Sequence, residues 1–234
     1  MITQAMILAA GRGERMRPLT LTTPKPLLAV GGKPLIVWHI ERLRRAGIER
    51  IVINAGYLAN KLSDFFAIHD FGVQIVLSLE NPPLETAGGI KQALTNKLLA
   101  PAPFILINGD IWCDYPLENL TNITLQDHLG YLLLTDNPDH NPTGDFVLTT
   151  DGSGRVVPKS TKPLPSLTFA GVSVLDPALF AGVPCGQIAP LAPLLQQAMH
   201  AQKIIGSRLD GYWIDVGTVE RLQIINAYLA DKND

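Results

Sequence analysis

Short apolar runs alternate with amphipathic stretches along the first two-thirds of the chain, and that alternation restricts the fold more than any other feature. Ala5 to Ala9, Ile51 to Asn54, Val73 to Leu77 and Phe104 to Asn108 read as buried strands. Between them, Pro34 to Ala46, Leu58 to Phe66 and Ile90 to Leu98 read as helices. In the first helix Leu35, Ile36, Ile40 and Leu43 share a face, with proline in the first turn and Gly47 at the C′ position. Strands that alternate with helices predict a mostly parallel, Rossmann-like mixed α/β sheet covered by helices on both faces. Tyr131 to Leu134, Phe146 to Thr149 and Phe169 to Leu175 read as later strands, and Val156 to Ser166 as a proline-rich loop. Leu191 to His200 and Thr218 to Leu229 read as helices around a strand region from Ile204 to Asp215. Residues 1–234 are expected to form a single domain, its later strands making a flap on the substrate side.

Composition narrows the function classes. With 234 residues, 47% of them apolar and 17% charged, the chain can bury a sizeable core. A net charge of -2 argues against a nucleic-acid partner, which calls for a basic excess. The best apolar stretch, Leu167 to Val183, is broken by Asp176, and the N-terminus has no basic, apolar and cleavage-site succession. A soluble cytoplasmic protein with no membrane partner is the expectation. Cys113 and Cys185 form no CxxC pair, and the five histidines show no ligand spacing. His39 falls inside the first helix and reads as structural.

Directly after the first strand comes Ala9-Ala10-Gly11-Arg12-Gly13-Glu14-Arg15-Met16-Arg17. Small residues let a backbone approach a ligand closely, and inward N–H groups make a nest for anionic oxygens. Arg12, Arg15 and Arg17 bring positive charge. A dinucleotide fingerprint would need glycine where Met16 stands, and a Walker A loop is excluded by Met16-Arg17-Pro18. The loop therefore reads as a phosphate loop of another kind, or as a tight surface turn. Lys25, bracketed by Pro24 and Pro26, is expected to be held extended as a point-charge phosphate clamp.

Gly11-x-Gly13-Glu14-Arg15-Met16-Arg17-Pro18-Leu19-Thr20, followed by Pro24-Lys25-Pro26-Leu27, resembles the signature of the sugar-1-phosphate nucleotidyltransferases. Glu85 to Gly89, Asn108-Gly109-Asp110, Phe169-Ala170-Gly171 and Trp213 to Thr218 continue the likeness along essentially the whole chain. Pro83 to Ile90, Gly144-Asp145-Phe146 and Trp213 to Leu222 are similar to phrases of the N-acetylmuramate 1-phosphate uridylyltransferases of peptidoglycan recycling. Thr161-Lys162-Pro163 stands where many glucose 1-phosphate users carry Glu-Lys-Pro, which argues against glucose and leaves open whether Lys162 contacts phosphate.

The resemblance implies transfer of a uridylyl group from UTP to N-acetylmuramic acid 1-phosphate. The same chemistry with a thymidylyl, guanylyl or cytidylyl group is the near alternative, and a non-catalytic nucleotide-sugar sensor is a different class. The implied partners are a nucleoside triphosphate and a sugar 1-phosphate, acting on a monomer or small homo-oligomer. The implied cofactor is Mg2+, held by Asp110 and Asp215, each at the end of a strand. Arg15, Lys25 and Asp110 are the expected catalytic residues. Ala9, Ala10, Gly11, Gly13, Glu14, Arg15, Lys25, Glu80 and Gly88 are expected around the nucleotide. In that set Glu80 would face the base edge, and Gly88 and Gly89 would permit close approach. Asn108, Asp145 and Gly171 are expected at the sugar. Glu85 either joins this site or caps the helix that follows it.

Overall fold

The computed structural model describes residues 1–159 and 165–232, so Lys162 lies outside the described residues. The chain opens with β1 (Gln4–Leu8), then winds through three 3-10 turns, Glu14–Met16, Leu19–Leu21 and Lys25–Leu27. A small ribbon of β2 (Ala29–Val30) and β3 (Lys33–Pro34) leads into α1 (Leu35–Arg45). There follow β4 (Arg50–Ala55), α2 (Ala59–Ile68), β5 (Gln74–Leu79), α3 (Glu85–Thr95) and β6 (Phe104–Asn108). Next come β7 (Ile111–Cys113), α4 (Glu118–Thr121), β8 (Gly130–Thr135), β9 (Phe146–Leu148) and β10 (Val156–Pro158). The chain closes with β11 (Thr168–Leu175), α5 (Leu191–His200), β12 (Ile204–Arg208), β13 (Trp213–Asp215) and α6 (Val219–Asp231).

Seven strands form the main sheet in the order β12-β8-β11-β6-β1-β4-β5. β11 runs antiparallel to both its neighbours and every other pairing is parallel. This is the mostly parallel mixed sheet that the alternation of elements predicts. Side chains on a strand alternate between faces, and β1 shows it. Ala5 and Ile7 join a buried cluster with Ile36, Ile40 and Leu43 of α1 and Leu62 of α2. Met6 joins the cluster on the other face, with Ile90 of α3 and Leu195 and Met199 of α5. A third cluster sits at one end of the sheet. There α6 supplies Ile225 and Leu229 against Trp112, Ile214, Val216 and Met16.

Several local expectations need correction. Lys25 is not extended: it begins a 3-10 turn closed by bonds from Leu27 N to the Pro24 carbonyl (2.8 Å) and from Leu28 N to the Lys25 carbonyl (3.1 Å). Pro24, at ψ 141°, is the extended residue. The helix expected from Ile90 starts at Glu85, because the Ala189 carbonyl accepts from the N–H groups of Ala87 (2.9 Å) and Gly88 (3.1 Å). Those donors would otherwise be orphans at a helix start. Val156–Pro158, expected inside a loop, is β10, which pairs with β9 as a separate ribbon. The Ile204 to Asp215 region splits between sheets: β12 edges the main sheet, whereas β13 pairs with β7.

Candidate active site

The C-terminal ends of β1, β4 and β6 open into a cleft of about 590 Å³. Leu8, Asn54 and Asn108, the first and last of which close their strands, reach it from three neighbouring strands, as ligand crevices of open α/β sheets require. Its walls include Ala9, Ala10, Gly11, Gly13, Glu14, Arg15, Lys25, Glu80, Asn108 and Asp110.

The loop after β1 is shaped by two contrasting residues. Gly13 has φ +60°, and a Cβ there would press on Thr20 Cγ2 (3.0 Å) and Lys25 Cβ (3.2 Å). The Thr20 hydroxyl donates to the Gly13 carbonyl at 2.8 Å, drawing the loop back on itself. Met16, which breaks the dinucleotide pattern, is fully buried in the third cluster and anchors the turn. The basic charge is less concentrated than the three arginines predict. Arg15 lines the cleft, but Arg17 pairs with Glu14 at 3.4 Å on the surface, and neither Arg12 nor Arg17 lines the cleft.

Lys25 Nζ donates to Asp110 Oδ2 at 2.7 Å. β13 lies antiparallel to β7 with Asp215 opposite Ile111, and Val216 N donates to the Asp110 carbonyl at 2.6 Å. Asp110 and Asp215 thus meet across the join between the main sheet and the small ribbon. Around Gly217, a Cβ would sit 2.7 Å from Asp215 Oδ2 and 3.2 Å from Arg15 Nη2. Arg15, Lys25, Asp110 and Asp215 therefore converge on one mouth. Burial pushes the Asp215 carboxyl above its ordinary value, and the nearby Asp110 charge adds to this. Arg221, His140 and Lys25 pull it the other way.

Two partners of Asp215 escape a sequence reading. Arg221 Nη2 lies 2.9 Å from Oδ2 and His140 Nε2 lies 2.9 Å from Oδ1. Arg221 comes from α6, one helical turn after the Thr218 cap, whose hydroxyl accepts from Arg221 N. His140 belongs to the β8–β9 loop, about 75 residues away in sequence, and nothing in its own neighbourhood signals the contact.

Glu80 borders the cleft but is buried, at 4% exposure, and its carboxylate is spent inside the protein. Oε1 accepts from Asn54 Nδ2 (2.7 Å) and Oε2 from Leu84 N (2.8 Å). Asn54 Oδ1 in turn accepts from Ala9 N at 2.6 Å. Glu80 therefore positions Asn54 and the start of α3 instead of presenting itself to a base edge. Asn54 was signalled only by being a polar residue at the tip of a buried strand. Gly88 also needs correction. It does not line the cleft; a Cβ there would strike the Gln187 carbonyl, so the close approach it permits is by the protein's own backbone. Gly89 packs likewise against the Glu80 carboxylate. Glu85 is exposed to the cleft, with no side-chain cap bond at the helix start.

A second cavity of about 770 Å³ shares Glu85, Thr86 and Asn108 with the first. It continues under the β9–β10 ribbon, past Asp145, Phe146, Pro158, Lys159 and Phe169 to Leu195 and Gln196 of α5. Asp145 is fixed: Oδ2 accepts from Phe169 N (2.8 Å) and Oδ1 from Asn141 Nδ2 (3.0 Å). Gly171 does not line this cavity. It has φ +73°, and the missing Cβ makes room for the Asn108 side chain, 2.8 Å from where that atom would be.

Comparison with known proteins identifies the family and the fold. The Nucleotidyl transferase family model matches residues 4–232. The N-acetylmuramate alpha-1-phosphate uridylyltransferase of Neisseria meningitidis serogroup B is 48% identical over 227 residues, covering 94% of this chain and 95% of that protein. A mannose-1-phosphate guanyltransferase of Kluyveromyces lactis is 31% identical over 221 residues, covering 92% of this chain but 61% of the longer relative. In fold, a UDP-glucose pyrophosphorylase solved with UDP-glucose superposes with a TM-score of 0.81 at 22% identity, covering 99% of this chain and 100% of the other. The inositol-1-phosphate CTP transferase of T. maritima gives 0.78 at 19% identity, covering 99% and 96%. With a matching model over nearly its full length and a relative of 48% identity, the chain belongs to the nucleotidyl transferase family.

Proposed function

We propose that this protein joins UTP to N-acetylmuramic acid 1-phosphate, giving UDP-N-acetylmuramic acid and pyrophosphate, in the recycling of cell-wall sugar. The near-complete, 48% identical relative supports the substrate pair. The observation that carries the chemistry is the meeting of Arg15, Lys25, Asp110 and Asp215 at the strand ends.

In this reading an oxygen of the sugar phosphate attacks the α-phosphorus of UTP in line. The bond from that phosphorus to the β-phosphate oxygen breaks, and pyrophosphate leaves. The attacking oxygen is ionised at neutral pH, so no strong general base is required. The obstacle is repulsion between two anions. Arg15 and Lys25 lower it and stabilise charge in the transition state, and the loop from Ala9 to Gly13 positions the triphosphate. Asn54, held by Glu80, fixes the Ala9 amide at the cleft wall.

The residues present fit a divalent cation. Magnesium takes oxygen donors, commonly one or two carboxylates together with phosphates, and Asp110 and Asp215 would hold it. Asp215 Oδ1 is buried and has no hydrogen-bond partner among the described residues, His140 standing near it but out of donating geometry. When bound, the ion would neutralise phosphate charge. The test is pyrophosphate release across a matrix of triphosphates and sugar 1-phosphates, with magnesium and with a chelator. UTP with the muramate should give the highest rate, and only with the metal. Silence of that pair while another turns over would overturn the substrate assignment.

A further inference from the structure

N-acetylmuramic acid differs from N-acetylglucosamine by a lactyl ether, which carries a carboxylate. On the reading just proposed, something in the sugar cavity must meet that charge. Arg15 and Lys25 belong to the phosphate cleft. Glu85 and Asp145, both acidic, line the sugar cavity, and a third carboxylate brought in by the ligand is repelled by them. Among the described residues that line this cavity, Lys159 is the one cation.

Its ammonium group is held in place. Lys159 follows β10 directly, and Nζ donates to the carbonyls of Thr143 (3.1 Å) and Gly144 (3.4 Å). Those carbonyls belong to a turn closed by Gly144 N donating to the Asn141 carbonyl at 3.1 Å. Gly144 has φ +59°, and a Cβ would crowd Asn137 Oδ1 (2.6 Å) and Ser166 Oγ (2.9 Å), so the turn has little freedom. The same loop is tied through Asn141 to Asp145, and it brings His140 Nε2 to 2.9 Å from Asp215 Oδ1. An ammonium has three donors and no acceptor. Two point at the turn, which leaves one N–H for a ligand oxygen, and among the described residues no carboxylate is paired to the charge.

The geometry points to Lys159 as the residue that recognises the lactyl carboxylate and so separates muramate from glucosamine substrates. It acts on the bound sugar and not on the reacting phosphorus, so its removal alters KM and leaves kcat nearly unchanged.

Initial rates of pyrophosphate release with UTP test this, comparing N-acetylmuramic acid 1-phosphate with N-acetylglucosamine 1-phosphate for the wild-type chain, Lys159→Met and Lys159→Arg. Where the second sugar turns over too slowly, its inhibition constant against the first supplies the comparison. In Lys159→Met the KM for the muramate should rise at least about tenfold, the scale of one charge-assisted hydrogen bond. The constant for the glucosamine compound should move less than about twofold, and Lys159→Arg should recover most of the loss. Thermal unfolding of the purified variants reports whether the exposed substitution leaves the fold intact. Equal losses with both sugars, no loss with either, or discrimination abolished by Lys162→Met but not Lys159→Met would overturn the assignment. A wild-type enzyme that ignores the muramate would reject the substrate reading itself, a result read before any variant is made.

Discussion

The Lys25 ammonium lies 2.7 Å from Asp110 Oδ2, joining residues 85 positions apart. The lysine side chain is 11% exposed and the aspartate 39%, so the pair sits at the lip of the cleft with the carboxylate facing outward. On the proposed reading, this ammonium exchanges Asp110 for a phosphate of the triphosphate. Lys25→Met should lower kcat/KM by about a hundredfold or more, the usual effect of deleting a charge-stabilising donor. Pyrophosphate release measures this, and activity within a few-fold of wild type would remove Lys25 from the mechanism.

Arg221 and Asp215 form a mostly covered pair at 2.9 Å, with 13% and 17% of their side chains exposed. Removing the arginine leaves a carboxylate that burial already destabilises. Arg221→Met should cost about 2 kcal/mol, less than a fully buried pair because some solvent reaches it. Adding Asp215→Asn should return about half of that, since the cost stems from the stranded charge. Denaturant unfolding of the single and double variants decides it; a double variant no more stable than Arg221→Met would trace the loss to packing instead.

Gly88 meets backbone where a side chain would go, so Gly88→Ala must shift the Gln187–Ala189 segment or the start of α3. A destabilisation of about 1–3 kcal/mol is expected, with weaker nucleotide binding because α3 begins with Glu85 and Thr86 of the cleft wall. Gly182→Ala, which enters open space, serves as the control and should be nearly silent. Equal melting temperatures for the two variants would contradict the packing described for α3.

His39 is buried on α1, and burial lowers its pKa from 6.5 to about 3, with the Arg42 charge adding to the shift. The folded chain therefore keeps His39 neutral where the unfolded chain binds a proton. That contribution to stability is complete above about pH 6.5 and is lost as pH falls towards about 3. Between pH 6.5 and 5 the loss is about 2 kcal/mol, or several degrees in melting temperature for a chain of this size. His39→Leu should flatten the decline over that window. An unchanged slope in a pH series of melting curves would show that other groups govern the acid limb.

Much of the scaffold was readable from residue order alone because its causes are local. The period-two burial of β1, the stripe Leu35, Ile36, Ile40 and Leu43, and the positive φ of Gly13 and Gly47 follow from the residues and their near neighbours. In the loop from Ala9 to Lys25 the small and basic residues were legible, but only the folded chain shows that Arg15 and Lys25 line the cleft while Arg12 and Arg17 do not. Element ends were less legible. α3 starts at Glu85 because a carbonyl a hundred residues later completes its first turn, and β10 forms because β9 lies beside it.

Local order along the chain was enough for the central strands β1, β4 and β6, the apolar stripe of α1, and the run of small and basic residues after β1. Tertiary structure alone decided which of those residues act together. Glu80 at the cleft wall is bound to Asn54 and Leu84, His140 is carried to Asp215, and Lys159 is brought to the second cavity and held by the Thr143 carbonyl. Hydrogen bonds and charge pairs depend on separations of a few ångströms, and for residues tens of positions apart those separations are set by how the sheet stacks its strands and where its loops return.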